Sequence, residues 1–354
     1  MHPMKSILRL ALICLLASTP LAHAQDWAKA MLEKSPRHRE YVAIKQGSHT
    51  LTTFVVYPEV STKAPVVILI HEIFGLSDWM KSMADDLAAQ GFIVVAPDLL
   101  SGYGANGGGT SEMANMDATT KAVTSLNADE VTADLDAVAE YTKTIPSANG
   151  KLAVAGFCWG GGKTFAFATH RHDLSAALVF YGPGPADVTT ITAPVYGFYA
   201  GNDARIGATL PATTDAMKAA KKFFEPITYD GAGHGFMRAG VDPANTNAAN
   251  VAARKEGFAR LVKVLKEKTS AKAATTHPSK VSAKKKKTTA AEVICHDPTM
   301  TMQGTMQGTM QGTMQGSMQG SMQGTMQGSM QGTMQGTMQG TTQGTMKGSM
   351  KGSM

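Results

Sequence analysis

Residues 151–161 read Lys-Leu-Ala-Val-Ala-Gly-Phe-Cys-Trp-Gly-Gly, an apolar run followed by a glycine-rich turn. The apolar run predicts a buried strand, and the glycines after it predict a turn into a helix. Gly156 and Gly160 flank Cys158 with the spacing G-x-C-x-G, that of a nucleophile elbow with cysteine in place of serine. Because so sharp a turn leaves no room for Cβ atoms beside the nucleophile, we expect it to lift the Cys158 sulfur out of a sheet.

Two partners for Cys158 follow it in the sequence. Asp203 ends the stretch Tyr-Ala-Gly-Asn-Asp, and His234 lies within Asp-Gly-Ala-Gly-His-Gly-Phe. A cysteine attacks a carbonyl carbon as the thiolate, so it needs a base or a local positive charge. We expect His234 to be that base, and Asp203 to orient the imidazole and stabilise its protonated form. The order nucleophile, acid, histidine is that of the α/β-hydrolase fold, and it predicts a cysteine-dependent hydrolase.

Short apolar runs alternate with helical patterns around these motifs. Four further strands are predicted, at residues 66–70, 92–96, 176–181 and 195–200. Three helices are predicted, at residues 77–90, 127–144 and 246–266. This alternation predicts a single α/β domain over residues 25–267, with a mostly parallel sheet flanked by helices.

The first 24 residues have the pattern of a secretory signal peptide. Lys5 and Arg9 precede an apolar run, and Ala-His-Ala at residues 22–24 resembles a signal-peptidase site. The run is too short to span a bilayer, and no later segment is long and apolar enough to do so. We therefore expect an exported protein, periplasmic or secreted, that is cleaved near Ala24 and has no transmembrane segment.

The positive charge of the chain is concentrated toward its C-terminus. The formal net charge is +6, yet residues 25–267 carry 22 Lys and Arg against 25 Asp and Glu, whereas residues 268–354 carry 9 Lys against 2 acidic residues. The predicted domain thus has no basic stripe for nucleic acid. We expect a small-molecule partner and no nucleic acid, and the sequence leaves the oligomeric state open.

Two low-complexity segments follow the predicted domain. Residues 268–301 are rich in Lys, Ala and Thr, which predicts a solvated linker. Residues 302–354 repeat Met-Gln-Gly-Thr or Met-Gln-Gly-Ser, and a glycine in every repeat costs a helix about 1 kcal/mol relative to alanine, so a disordered tail is predicted. The tail has two interpretations: an appendage without chemistry, or a Cu(I) site in which Cys295 and His296 join the thioethers. A latent Cys158–Cys295 disulfide is a further hypothesis.

Four motifs make residues from about 40 to 266 resemble the dienelactone hydrolase family, a branch of the α/β hydrolases with a Cys-Asp-His triad. They are His-Glu-Ile-Phe-Gly-Leu at 71–76, Ala-Pro-Asp-Leu at 96–99, Gly-Phe-Cys-Trp-Gly-Gly at 156–161 and Gly-His-Gly-Phe at 233–236. The resemblance implies hydrolysis of a small ester or lactone, of the carboxymethylenebutenolidase type, through a thioester on Cys158. No metal or organic cofactor is expected.

The resemblance also implies roles for residues around Cys158. The backbone amides of Ile73 and Trp159 would bind the oxyanion. Glu72 would contact the resting thiol and help to form the thiolate. Alternatively, Glu72 is only a solvated acid at the end of a strand. Three side chains are implied at the substrate, namely Arg238 on a carboxylate and Tyr181 and Phe74 on the pocket wall, although such aromatics are as often part of a core.

One departure from the family pattern leaves a second function class open. Ser-Gly-Tyr at 101–103 stands where a second carboxylate-binding arginine of the family is expected. A double carboxylate clamp is therefore not expected, which weakens the case for dienelactone itself as the substrate. The alternative to an enzyme is a catalytically inactive, hydrolase-like binding or surface protein that displays the Met-rich tail.

Overall fold

Eight strands form one sheet in the part of the chain that the computed structural model describes, residues 26–270. Their order across the sheet is β1-β2-β4-β3-β5-β6-β7-β8. The β1–β2 and β2–β4 pairs are antiparallel, and the other neighbours are parallel. The strands are β1 Arg39–Gln46, β2 His49–Val56, β3 Ala64–Ile70, β4 Ile93–Pro97, β5 Ala148–Phe157, β6 Ala176–Phe180, β7 Val195–Ala200 and β8 Phe224–Tyr229.

Helices cover both faces of this sheet. They are α1 Asp26–Glu33, α2 Asp78–Ala88, α3 Met116–Ser125, α4 Ala128–Thr142, α5 Trp159–His170, α6 Ala204–Gly207, α7 Leu210–Ala219, α8 Phe236–Ala239 and α9 Ala248–Thr269. Helices α1, α2 and α9 pack on one face, and α4, α5 and α7 on the other. The predicted fold class, a mostly parallel sheet flanked by helices, is confirmed.

Strand β3 shows why the two faces have separate cores. Its side chains alternate, so that Val67 and Leu69 pack with α2 and α9 while Ile68 and Ile70 pack with α4 and α5. A parallel strand that is covered on both sides is apolar at every position, as the run at 66–70 is.

Some elements differ from their predicted bounds. Ser77 caps α2 as predicted, because its hydroxyl accepts from the backbone N–H of Met80 at 3.4 Å, but the helix ends at Ala88 and not at residue 90. The last helix runs to Thr269, three residues beyond its predicted end, since Thr269 is buried and its hydroxyl donates to the carbonyl of Leu265 at 2.6 Å.

Several predictions lie outside the described residues. These are the signal peptide at 1–24, the linker from residue 271 onward, the repeat at 302–354, and the proposals that involve Cys295. No helix between residues 26 and 270 is long and apolar enough to cross a membrane.

Candidate active site

The turn between β5 and α5 holds Cys158 in a conformation that few residues adopt. Cys158 has φ 54° and ψ −116°, outside the regions that side chains with a Cβ atom prefer. A Cβ atom on Gly156 would collide with the carbonyl oxygen of Gly160, and one on Gly160 with the carbonyl oxygens of Ile70 and His71. The predicted need for both glycines is thus confirmed, and the second glycine lets α5 begin against the end of β3.

The three side chains predicted as a triad meet at the carboxyl edge of the sheet. Cys158 follows β5, Asp203 follows β7, and His234 follows β8, and parallel strands bring their carboxyl ends to one edge. His234 Nε2 lies 3.0 Å from the Sγ of Cys158, and His234 Nδ1 lies 2.5 Å from Asp203 Oδ2. Asp203 Oδ1 also accepts from the backbone N–H of Ile206 at 3.2 Å.

The loop that carries His234 is fixed on both sides of the imidazole. The backbone N–H of Gly233 donates to Asn250 Oδ1 at 2.8 Å, which ties the loop to α9. Gly235 has φ 76°, a left-handed conformation that glycine adopts without strain, and it starts α8. The imidazole is therefore held by its backbone as well as by Asp203.

Two backbone amides point at the sulfur of Cys158. The N–H groups of Trp159 and Ile73 lie near enough to the sulfur to lower the pKa of the Cys158 thiol. Burial of the thiol has the largest effect and raises the pKa of Cys158, and the negative charge of Glu72 raises it further. These two effects outweigh the amides, so that the pKa of Cys158 is raised overall. These are the amides that the sequence resemblance singles out.

Glu72 is a buried acid with a single charged partner in the described part of the chain. Arg238 Nε donates to Glu72 Oε2 at 3.3 Å. Burial raises the pKa of Glu72 to about 7, and Arg238 offsets only part of that effect. Glu72 can thus exchange a proton near neutral pH. Its placement differs from the alternative interpretation of a solvated acid at a strand end.

His71 holds the backbone next to Glu72. This fully buried imidazole donates from Nδ1 to the carbonyl of Glu72 at 2.8 Å and accepts at Nε2 from the backbone N–H of Leu99 at 3.3 Å. Its ring stacks on Trp159 with centroids 5.6 Å apart. A neutral imidazole satisfies both contacts, and burial lowers the pKa of His71, which favours that form.

A cavity of about 580 Å³ opens over Cys158 and His234. Tyr181, which is fully buried at φ 39°, lines it and places its ring 5.0 Å from that of His234. Arg238 and Phe74 do not line this cavity; the guanidinium lies 5.1 Å from the Phe74 ring centroid. Their contact with a substrate, and that of Tyr181, stay predictions.

Sequence reasoning missed two cations on the cavity wall, Lys163 and Arg205. Lys163 lies on α5 five residues after Cys158, and Arg205 lies two residues after Asp203. Their closeness in sequence to triad residues was the available signal. Within residues 26–270, no group of three or more His, Cys, Asp or Glu side chains is placed to hold a metal ion.

Comparisons with known proteins show which family this chain resembles. The sequence profile of the dienelactone hydrolase family matches residues 51–269. A "Putative carboxymethylenebutenolidase" of Yersinia pestis is 32% identical over 231 residues, which cover 61% of this chain and 84% of the relative. A protein of the same name from Saccharolobus solfataricus is 31% identical over 248 residues, 60% of this chain and 94% of the relative.

A solved structure shows the same arrangement of strands and helices. The crystal structure titled "Putative Dienelactone Hydrolase", from Klebsiella pneumoniae subsp. pneumoniae MGH 78578, matches with a TM-score of 0.56 at 26% identity. The match covers 64% of this chain and 97% of that one. The elbow, the fold and these similarities lead to one assignment: this chain belongs to the dienelactone hydrolase family, a family of hydrolases that act on small molecules.

Proposed function

We propose that the chain is an exported hydrolase that cleaves a small ester or lactone, as a carboxymethylenebutenolidase does, through a thioester on Cys158. The continuous contact from Cys158 through His234 to Asp203, at 3.0 and 2.5 Å, carries this proposal. Cys158 and His234 line a cavity of about 580 Å³, which is large enough for a small molecule.

In the first half of the reaction, His234 receives the proton of the Cys158 thiol by way of Glu72. The sulfur forms a bond to the carbonyl carbon, and the carbonyl π electrons move to the oxygen, which becomes an oxyanion. The amides of Ile73 and Trp159, which already point at the sulfur, bind that oxyanion. When the intermediate collapses, the C–O bond to the alcohol breaks, and the imidazolium of His234 protonates the leaving oxygen.

In the second half, water replaces the alcohol. His234 takes a proton from the water as the hydroxide oxygen attacks the thioester carbon. The C–S bond then breaks, and the acid product leaves while Cys158 regains its proton. Asp203 keeps the imidazole in the tautomer that both halves require and stabilises its positive charge.

Glu72 regulates the resting thiol in this proposal. Burial raises the pKa of Cys158, and the carboxylate charge of Glu72 raises it further, so that the thiol stays protonated while no substrate is bound. A proton that moves from the sulfur to Glu72, whose own pKa is about 7, creates the thiolate and removes the opposing charge in one step, and Glu72 then passes that proton to His234. We propose that substrate binding promotes this transfer.

Hydrolysis of p-nitrophenyl acetate by the reduced protein tests the proposal. The native chain, isolated after export with an N-terminus expected at Gln25, should release p-nitrophenol with a burst that marks the thioester. Cys158→Ala and His234→Ala should each lower kcat by about 1000-fold or more. Cys295→Ala, which changes the other cysteine of the mature chain, is the matched control and should retain the rate.

Two results would argue against this function. A native chain no faster than its Cys158→Ala variant would remove thiol catalysis on simple esters and favour the binding-protein alternative. An isolated chain that still contains residues 1–24 would contradict the proposal that the protein is exported. Circular dichroism of each variant keeps a loss of fold separate from a loss of chemistry.

A further inference from the structure

The turn that brings the N–H of Ile73 near the sulfur of Cys158 is supported from outside the cavity. It spans residues 72–75 and is closed by a hydrogen bond from the backbone N–H of Gly75 to the carbonyl of Glu72 at 3.1 Å. Ile73 lies inside this four-residue turn, so the direction of its N–H depends on how the turn is held. The contacts that hold the turn therefore bear on the oxyanion site.

Thr110 holds the far end of this turn. Its hydroxyl accepts from the backbone N–H of Leu76, the residue directly after the turn, at 3.0 Å. The two segments are close-packed, because Gly75 has φ 67° and a Cβ atom there would collide with the hydroxyl oxygen of Thr110. Thr110 lies 34 residues after Leu76, in the glycine-rich loop that follows β4, so this support is a tertiary contact.

Asp98 fixes Thr110 in that position. The Asp98 carboxyl group is buried and accepts from both polar groups of Thr110, the hydroxyl at 2.7 Å on Oδ1 and the backbone N–H at 2.7 Å on Oδ2. Its Oδ1 also accepts from the backbone N–H of Leu100 at 3.1 Å. The single hydroxyl of Thr110 thus donates to Asp98 and accepts from Leu76, which uses it fully.

The same segment holds the near end of the turn through His71. Leu99, the residue after Asp98, donates its backbone N–H to His71 Nε2 at 3.3 Å, and His71 Nδ1 donates to the carbonyl of Glu72 at 2.8 Å. Strands β3 and β4 are parallel neighbours, so the segments that follow them lie side by side at the carboxyl edge of the sheet. Both ends of the turn are therefore held by the segment after β4.

We propose that Thr110 and Asp98 are positioning residues for the oxyanion site, and that together they hold the turn so that the N–H of Ile73 donates to the oxyanion. Neither side chain lines the cavity over Cys158, so both act through the turn and not on the substrate. Their role rests on the proposed hydrolytic function, in which the oxyanion forms from an ester carbonyl. A tetrahedral adduct that forms without turnover separates the two.

Thr110→Val removes the hydroxyl and keeps the shape of the side chain. The N–H of Leu76 loses its acceptor and Asp98 loses a donor, so the turn is free to shift and to carry the N–H of Ile73 with it. The kcat/KM for p-nitrophenyl acetate should fall about tenfold, less than the roughly 100-fold loss expected when an oxyanion donor is removed outright.

The rate is measured per intact site in a Cys295→Ala background. Iodoacetamide alkylates Cys158 through the thiolate and needs no oxyanion, so the number of Cys158 thiols that it alkylates in the folded protein counts the intact sites. Dividing kcat/KM by that count keeps a loss of folded protein separate from a loss of positioning.

Two further variants separate the hydroxyl of Thr110 from the rest of the loop. Thr110→Ser keeps the hydroxyl and should recover most of the rate that Thr110→Val loses. Ser111→Ala removes a neighbouring hydroxyl, which is exposed and donates to Glu112 at 2.8 Å, and it should keep the native rate. Equal losses in Ser111→Ala, or no recovery in Thr110→Ser, would overturn the role of the Thr110 hydroxyl.

The ketone 1,1,1-trifluoroheptan-2-one tests the oxyanion site without turnover. Its carbonyl carbon forms a bond to the Cys158 sulfur, the π electrons move to the oxygen, and the thiol proton ends on His234, so that a stable oxyanion accepts from the N–H of Ile73. Its dissociation constant, measured as protection of Cys158 from iodoacetamide, should rise about tenfold in Thr110→Val and stay unchanged in Ser111→Ala.

The adduct also decides between positioning and mere stabilisation of the fold. A Thr110→Val variant that melts at a lower temperature but binds the ketone as tightly as the native chain would overturn the positioning role. If the native chain hydrolyses no ester while Thr110→Val still weakens the adduct, the hydrolytic function fails and the positioning role stands.

Discussion

Two carboxyl groups flank Cys158, and their surroundings differ although both are buried. Asp203 is 8% exposed and Glu72 is 3% exposed. Asp203 contacts the His234 ring at 2.5 Å and accepts a backbone N–H at 3.2 Å, whereas Glu72 has Arg238 at 3.3 Å. The pKa of Glu72 rises to about 7 because its burial outweighs the effect of the Arg238 guanidinium. Since both carboxyl groups are buried, their partners distinguish them: Asp203 orients an imidazole, whereas Glu72 is paired with one guanidinium.

The largest loss of activity is expected when Asp203 is changed. In Asp203→Asn, the side-chain amide can donate to Nδ1 and stabilise the wrong imidazole tautomer, so kcat should fall by about 10⁴-fold while the fold is kept. Steady-state kinetics with p-nitrophenyl acetate measure this. Asp230→Asn, an exposed change in the same histidine loop, is the matched control. A loss below tenfold would mean that Asp203 does not orient His234.

A smaller loss of activity is expected when Glu72 is changed, and thiol reactivity and ester turnover should change in opposite directions. Glu72→Gln removes a negative charge that raises the pKa of Cys158, so the pH profile of iodoacetamide alkylation should shift to lower pH. Ester turnover should nevertheless fall by about 100-fold, because the proton acceptor is lost. An exposed Glu256→Gln control should change neither. If Glu72→Gln also changed neither, Glu72 would have no role at the thiol.

The smallest effect is expected from Arg238→Met. Arg238 lowers the pKa of Glu72, so its removal should raise that pKa above about 7. Glu72 then stays neutral to higher pH and raises the pKa of Cys158 less, so thiol alkylation between pH 7 and 8 should become faster. The rate profile against pH measures this for the variant and the native chain. A slower reaction would show that Arg238 acts on the thiol directly.

Most of the elements and site residues that were predicted correctly were identified from short local sequence patterns. The strand, turn and helix at 151–161 were identified from one local pattern, and the described geometry agrees with it. Asp203 and His234 were identified from their motifs and from their order after Cys158, and parallel strands bring the positions after β5, β7 and β8 to one edge. The hairpin of β1 and β2 and the edge strand β8 were not predicted. Strands β1 and β8 carry mixed, partly exposed side chains without a strong period, and threonines interrupt the apolar run of β2.

The elbow, the triad and the alternation of strands and helices follow from local patterns, because each depends on a few residues close together in the chain. The pairing of Glu72 with Arg238, the pKa of Glu72, and the two cations beside Cys158 were decided only when distant segments packed together. The pairing of Arg238 with a carboxylate depends on side chains from separate strands and helices. Burial and charge balance are properties of that packing, and no short stretch of sequence contains them.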